Sequence, residues 1–374
     1  MTLLIAGRIA RGGRLEEGWI ELDGAVVRAT GAGDPRREPD ERPGGILAPG
    51  LCDLQVNGAS GREVCGGGDS LDRIEHVQLV HGVTSYLPTL ISPDDATAER
   101  VLSELEERAS DPASGVIGAH VEGPFLSPKH AGIHAVERLR VPAQGVPAWL
   151  DSPAVRMVTL APELPGALQL ISRLVARGVI VSLGHSDADA ETGQAAIEAG
   201  ATMATHVFNA MGPLGHRAPG LAGLALVDER VRAGVIADGV HIDAIVLELV
   251  RRAAGSRVVL VSDATPAAAA PPGRYELAGS TIESDSGGSV RAPDGTLAGS
   301  RLTLDEAVRR WSELTGATLA EAVAAASESP AAAMGMPPRL APGSPADLVI
   351  FDDTGAVCRV MWRGRWLSGG ALRC

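Results

Sequence analysis

Four short apolar runs each end on a side chain able to bind a metal or move a proton: Glu122 after 116–121, His185 after 179–184, His206 after 201–205 and Asp263 after 258–262. A carboxylate and two imidazoles, from Glu122, His185 and His206, make the donor set of a hydrolytic metal site that keeps one position open for water. Asp263, in the run VSDAT, is placed to take a proton from such a water, whose pKa falls to about 7 on zinc, and to pass it to a leaving amine. Each residue alone also fits a plainer role, a strand-end histidine satisfying a hydrogen bond or an aspartate capping the next segment. Three such groups converging on one mouth outweigh that alternative.

Bringing the four together requires elements that repeat. From residue 51 onward, apolar runs at 51–56, 85–89, 115–121, 155–160, 179–183, 201–205, 233–237 and 258–262 alternate with helix-periodic segments, among them 71–81, 95–108, 167–177, 187–199 and 243–253. This alternation signals βα units and a parallel sheet. Eight units predict an α/β fold, a (β/α)8 TIM-like barrel whose chemistry sits at the C-terminal ends of its strands. After the eighth run, the Ala- and Pro-rich stretch 265–273 reads as a mobile surface loop, with a lid as the alternative, and further helices are expected at 303–314 and 319–326. Short strands between 2 and 28, a Pro-, Arg- and Glu-rich loop at 34–45, and a β tail at 347–351 and 358–366 complete the chain. Their pairing predicts a small β-sandwich from both chain ends, residues 1–48 with 338–374, beside a barrel domain of 49–337.

Bulk composition limits what such a protein touches. The chain has 374 residues, 45% of them hydrophobic and 21% charged, enough to bury a large core. A net charge of −13 without any Lys/Arg cluster excludes nucleic-acid and anionic-membrane surfaces, so an anionic substrate needs a local cationic pocket. No run approaches the about 18 apolar residues of a membrane span, and the N-terminal apolar stretch is broken by Gly7 and Arg8, so a cytoplasmic protein is expected. Cys52, Cys65, Cys358 and Cys374 form no CxxC pair and read as reduced thiols.

The first run continues as PGLCDLQVNG. Metal-dependent amidohydrolases usually carry His-x-His here; this chain has Gln55 and Asn57, and amides bind zinc poorly beside imidazole, so one ion rather than two is expected. The segments PGLCDLQVNGASG, GAHVEGPFLSPKHAGIH, LGHSDA, THVFNAMGPLGHRAPGLAG, IADGVHID, VSDAT and TLAGSRLTLDEAVR, in this order over nearly the whole chain, resemble those amidohydrolases that deacetylate amino-sugar phosphates.

That resemblance implies one divalent ion per subunit on Glu122, His185 and His206, zinc first, with Fe2+, Co2+ and Mn2+ accepting the same ligands. It implies Asp263 as acid and base, His134 near the substrate carbonyl and sugar, and Ile133 beside it as a backbone contact. Gln55, Asn57, Asn209 and Ala210 fall at substrate positions; Arg217 and His241 match a phosphate-binding pair that a neighbouring subunit can supply, so a homodimer is expected; Leu297, Ala298 and Gly299 match a loop closing on the sugar. By residue type alone, Arg217 could be a solvated loop cation, His241 a cap for the helix near Asp243, Asn209 a turn former. Ala218 departs from the family, where a Glu often follows the arginine. His76, His81, His130 and His216 receive no role and are expected at surface or helix positions.

The implied reaction is hydrolysis of the acetamide of N-acetyl-D-glucosamine 6-phosphate to D-glucosamine 6-phosphate and acetate. The alternatives are the galactosamine epimer, another amidohydrolase substrate, or a catalytically silent binding paralogue.

Overall fold

Leu51–Val56, Val83–Ile91, Ala119–Glu122, Val155–Leu160, Ile180–Leu183, Met203–Ala204, Arg232–Val235 and Val258–Leu260 form one eight-stranded parallel sheet in chain order. These are the first to eighth barrel strands below. Its two edges approach each other where Val56 pairs with Ala264 and Asn57 N–H donates to the Ala264 carbonyl at 2.8 Å, closing the barrel. The computed structural model describes residues 2–367.

The third strand starts later than its apolar run because Gly118, at φ 131°, interrupts the ladder, and residue 116 joins it only through a single bridge to Tyr86. Helices follow the strands where the apolar spacing demands them. In Asp95–Ser110 the buried residues Ala98, Val101, Leu102 and Leu105 recur at one helical face, and the Asp94 carboxylate caps the start by accepting Thr97 N–H. Each leucine buried there removes about 1.5–3 kcal/mol of apolar exposure from water. Helices Gly220–Val227 and Glu328–Ala333 were not expected from the sequence; the first is apolar nearly all round, so its period is hidden.

Both chain ends meet in a seven-stranded sheet of order Arg365–Trp366, Val357–Trp362, Leu348–Phe351, Ile46–Pro49, Thr2–Arg11, Arg14–Asp23, Val26–Ala32. The sheet curls until its far edge reaches the other half, with Val27 N–H donating to the Ser344 carbonyl at 2.8 Å. Ile5, Ile20, Leu47, Leu348, Ile350 and Met361 pack a core of its own, apart from the barrel's. This is the β-sandwich built from both ends; residues 1 and 368–374, including Cys374, lie outside the described residues. Cys52 and Cys65 are free thiols, whereas Cys358 is disulfide-bonded, which corrects the expectation of four reduced cysteines.

The stretch 265–273 also differs from expectation. Residues 264–268 are buried, and the carbonyls of Pro266 and Ala268 accept Gly61 and Ser60 N–H at 2.7 Å each, so this end of the stretch is a packed strap. Alanine and proline there reflect close packing against the first strand's exit. Beyond it, Gly273–Leu277, Ser280–Ser284 and Val290–Arg291 form a three-stranded antiparallel sheet that the sequence reading missed. It delivers residues 296–299 to the barrel mouth.

Candidate metal centre and cavity at the barrel mouth

The third strand ends on Glu122, and His185, His206 and Asp263 follow the fifth, sixth and eighth strands by two or three residues. All four are buried, at 3%, 5%, 5% and 7% exposure, which matters because charges and imidazoles withheld from water must find partners. His185, His206 and Asp263 stand at φ 50°, 27° and 48°, left-handed values that turn each side chain off its strand into the mouth. Phe208 and Ala210, at φ 77° and 48°, continue the same sharp bend after the sixth strand. Such backbone costs on the order of 1–3 kcal/mol per residue and is held by the surrounding packing.

Glu122 Oε1 lies 3.1 Å from both His185 Nε2 and His206 Nε2, and those two nitrogens are 3.2 Å apart. Ligand atoms on a tetrahedral ion at about 2.0–2.1 Å stand about 3.3–3.4 Å from one another, so this trio is spaced as one face of a coordination shell. Among the described residues it is the one group of three or more His, Cys, Asp or Glu side chains so placed. His185 Nδ1 donates to the His130 carbonyl at 2.7 Å, leaving Nε2 with its lone pair toward the trio. His206 Nδ1 is buried with no protein partner. Burial opposes ionisation of Glu122, but the imidazoles of His185 and His206 beside it prevail and hold its carboxyl well below the usual range.

Gln55 Nε2 donates to Glu122 Oε2 at 3.2 Å, and Asn57 Nδ2 donates to Asp263 Oδ1 at 2.7 Å. The two amides therefore brace the two carboxylates from the first strand. Burial, then the charge of Glu122, pushes the Asp263 carboxyl up to about 6. Further down the same strand face, Asp53 is fully buried beneath them, and burial pushes its carboxyl up to about 7. Gly299, at φ 59°, closes against this corner; a Cβ there would lie 2.9 Å from the Asp263 carbonyl oxygen and 2.7 Å from Thr265 Cγ2.

His134 brings the fourth imidazole to the centre, its Nε2 4.0 Å from Glu122 Oε2 and its Nδ1 2.7 Å from Ser92 Oγ. Burial, reinforced by His185, pulls it down to about 3, so the ring is neutral. A neutral ring can donate from Nε2 only if Ser92 gives its hydroxyl hydrogen to Nδ1. His241 Nδ1 lies 2.7 Å from Asp238 Oδ2, which orients the ring toward the same space.

These groups surround a cavity of about 520 Å3. Of the residues singled out from sequence, Asn57, Glu122, Ile133, His134, His185, His206, Asn209, Ala210, His241, Asp263, Leu297 and Gly299 line it. Asn209 spends its amide nitrogen on the His206 carbonyl at 3.2 Å, so its oxygen is what remains to face a ligand. Gln55, Ala298 and Arg217 do not line the cavity. Gln55 sits behind Glu122; Ala298 packs into the apolar cluster with Ile282 and Val290; Arg217 lies exposed on the loop before Gly220–Val227 and forms no ion pair within the described chain. His130 sits in the short helix Pro128–His130, at one of the expected kinds of position, but it also borders the cavity and its carbonyl fixes His185, while its ring pairs with Asp187 at 3.2 Å. His81 pairs with Asp305, His76 and His216 are exposed.

Ser92 and Asp238 were missed. Asp238 follows the run 233–237 directly, so the rule that found the four opening residues would have found it, whereas Ser92 follows the strand Val83–Ile91, which extends past the run 85–89 read from sequence.

A barrel with chemistry at its strand ends, one face of metal donors and a poised carboxylate define a metal-dependent hydrolase. The family model described as the amidohydrolase family matches residues 46–367, and the chain belongs to that family. Within it, the chain is 38% identical to N-acetylglucosamine-6-phosphate deacetylase from Bos taurus, over 97% of this chain and 93% of that protein. It is 36% identical to N-acetylgalactosamine-6-phosphate deacetylase from Escherichia coli O157:H7, over 94% and 97%. Among solved structures, a mutant N-acetyl-D-glucosamine-6-phosphate deacetylase from Mycobacterium smegmatis, in complex with N-acetyl-D-glucosamine-6-phosphate, superposes with a TM-score of 0.92 at 34% identity, covering 98% of this chain and 99% of that one. The Pasteurella multocida enzyme of the same name gives 0.91 at 29% identity, over 99% and 100%.

Proposed function

We propose that this chain hydrolyses the acetamide of N-acetyl-D-glucosamine 6-phosphate, releasing acetate and D-glucosamine 6-phosphate. The observation that carries the reading is the convergence of Glu122, His185, His206, Asp263 and His134 on one cavity; the deacetylase relatives supply the substrate class.

Glu122, His185 and His206 would hold one divalent ion, zinc first among those that accept these donors, which would polarise a carbonyl and lower the pKa of water. Asp263, steadied by Asn57, takes a proton from the attacking water as its oxygen adds to the acetyl carbon. His134, kept by Ser92 as the Nε2–H tautomer, donates to the carbonyl oxygen as charge builds there. Asp263 then returns the proton to the amide nitrogen, the C–N bond breaks, and acetate and the free amine leave. Asn209 and Ala210 would position the sugar, together with Leu297 and Gly299, which line the same cavity.

Ser92 acts through His134, and its removal should show it: Ser92→Ala is expected to lower kcat about tenfold with KM changed little, because the donor survives in only a fraction of the rings. An unchanged kcat would mean that His134 needs no such fixing.

His241, oriented by Asp238, and Arg217 would bind the phosphate, whose charge the net −13 chain must answer locally. The exposed position of Arg217 favours its acting across a homodimer, and exposed Val227 (69%) and Ile245 (82%) offer apolar surface for one. A phosphorylated sugar is found inside cells, which supports a cytoplasmic place; among the described residues no helix is long and apolar enough to cross a membrane. The division into 1–48 with 338–374 and 49–337 is supported by the two separate cores.

The test is turnover on N-acetyl-D-glucosamine 6-phosphate, its galactosamine epimer, and unphosphorylated N-acetyl-D-glucosamine. Loss of the phosphate is expected to cost kcat/KM about a hundredfold or more. Equal rates without phosphate would remove the role given to Arg217 and His241, and a strong preference for the other epimer would move the reading to the galactosamine substrate.

A further inference from the structure

At the opposite end of the barrel from the acetamide chemistry lies a second polar cavity of about 360 Å3. Thr84 and Ser85 reach it from the start of the second strand, Arg156 from the start of the fourth, Arg339 and Asp347 from the chain entering the seven-stranded sheet, and Arg363 from the turn between Val357–Trp362 and Arg365–Trp366 of that sheet. Three guanidinium groups thus line one space. None is within ion-pair distance of a carboxylate among the described residues, although Arg108, Arg140, Arg173, Arg177, Arg230 and Arg251 are all so paired.

Arg339 is the anchor, with 9% exposure. Its Nη2 donates to Ser85 Oγ, but its Nε is buried with no partner, and the same holds for Arg363 Nε and Thr84 Oγ1. Two carboxylates belong to the lining, and each has an oxygen already engaged: Asp347 Oδ1 accepts Arg363 N–H and Asp111 Oδ1 accepts Ala113 N–H, both at 2.8 Å. Burial also holds the Asp347 carboxyl above its ordinary range, which weakens it as a counter-charge. Unmet donors on a buried cation are costly, and a ligand that brings several acceptors and negative charge removes that cost. Three arginines lining one space fit a tetrahedral oxyanion, and the volume leaves room for a group esterified to it.

We propose that this cavity is a second ligand site, binding phosphate or a phosphate monoester between Arg156, Arg339 and Arg363, and clamping the seven-stranded sheet to the barrel through that ligand. Arg156 comes from the barrel and the other two arginines from the sheet side, so the occupant is held by both.

Calorimetric titration of the full-length, metal-loaded protein with inorganic phosphate, and separately with glucose 6-phosphate, at constant ionic strength tests this. Because the mouth is read as a phosphate site too, His241→Asn is run alongside. In that variant phosphate is expected still to bind and to raise Tm, and adding Arg156→Ala, an exposed position whose loss leaves the fold intact, is expected to weaken binding at least about tenfold and abolish the Tm rise. Arg363→Gln should weaken it in the same direction, while Arg156→Ala alone leaves kcat for acetate release unchanged. Tighter binding of the ester identifies a monoester site, and tighter binding of inorganic phosphate a site for the free ion. The proposal is overturned if millimolar phosphate does not bind the His241→Asn protein, or binds it equally with and without Arg156 and Arg363.

Discussion

Asp263→Asn is expected to lower kcat for acetate release by about a thousandfold while KM moves only a few-fold, because one carboxylate is asked to accept a proton in one step and return it in the next. The substitution keeps the side chain's size, and the asparagine oxygen can still accept from Asn57 Nδ2, so the cavity wall is preserved. What disappears is the basic site. Measuring metal content beside the kinetics separates this loss from loss of the ion: a variant that keeps its ion and its KM but not its turnover has lost the proton carrier. Turnover near the wild-type rate would refute Asp263 as the base.

Glu122→Gln should remove the ion itself. Glu122 Oε1 is equidistant from His185 Nε2 and His206 Nε2, and without its charge the remaining donors are two imidazoles 3.2 Å apart. An amide oxygen is a weak zinc ligand. Changing a residue outside the ligand shell costs about 10–100-fold in metal affinity, and replacing a charged ligand is expected to exceed that. After dialysis against a mild chelator, the variant should retain far less than one ion per chain and show acetate release reduced by more than about a thousandfold. Full metal occupancy in the variant would show that the ion is held elsewhere.

Much of the architecture is written plainly in the sequence. The eight apolar runs and the helices between them recur at the observed places, since each strand is buried on both faces and each helix on one. Residues that end a run are legible for the same reason: a polar group after five or six apolar residues has left the barrel wall and entered its mouth. Glu122 and Asp238 both obey this.

What was not legible depends on partners distant in sequence. Nothing in an Ala- and Pro-rich string says that the exit of the first strand will bind its carbonyls, so 265–273 looked free when its first half is packed. The small sheet between 273 and 291 has short, polar, alternating strands that resemble loop. Arg217 matched a phosphate position by motif, yet a single chain leaves it in solvent, and the cationic cavity at the far end is assembled from residues as far as 279 positions apart. Arg339 and Arg363 carry no motif; only their missing partners mark them.

The left-handed backbone at His185, His206 and Asp263 restricts the chemical alphabet of the mouth. Asn, Asp, His and Gly enter that conformation most readily, whereas a β-branched residue there is a genuine outlier. At these three positions conformation has therefore narrowed the choice before function makes it, nearly to the residues that bind ions or carry protons. Variation in substrate among barrels of this kind is then expected in the cavity walls, at positions such as Ile133 and Leu297, where ordinary backbone leaves the choice open.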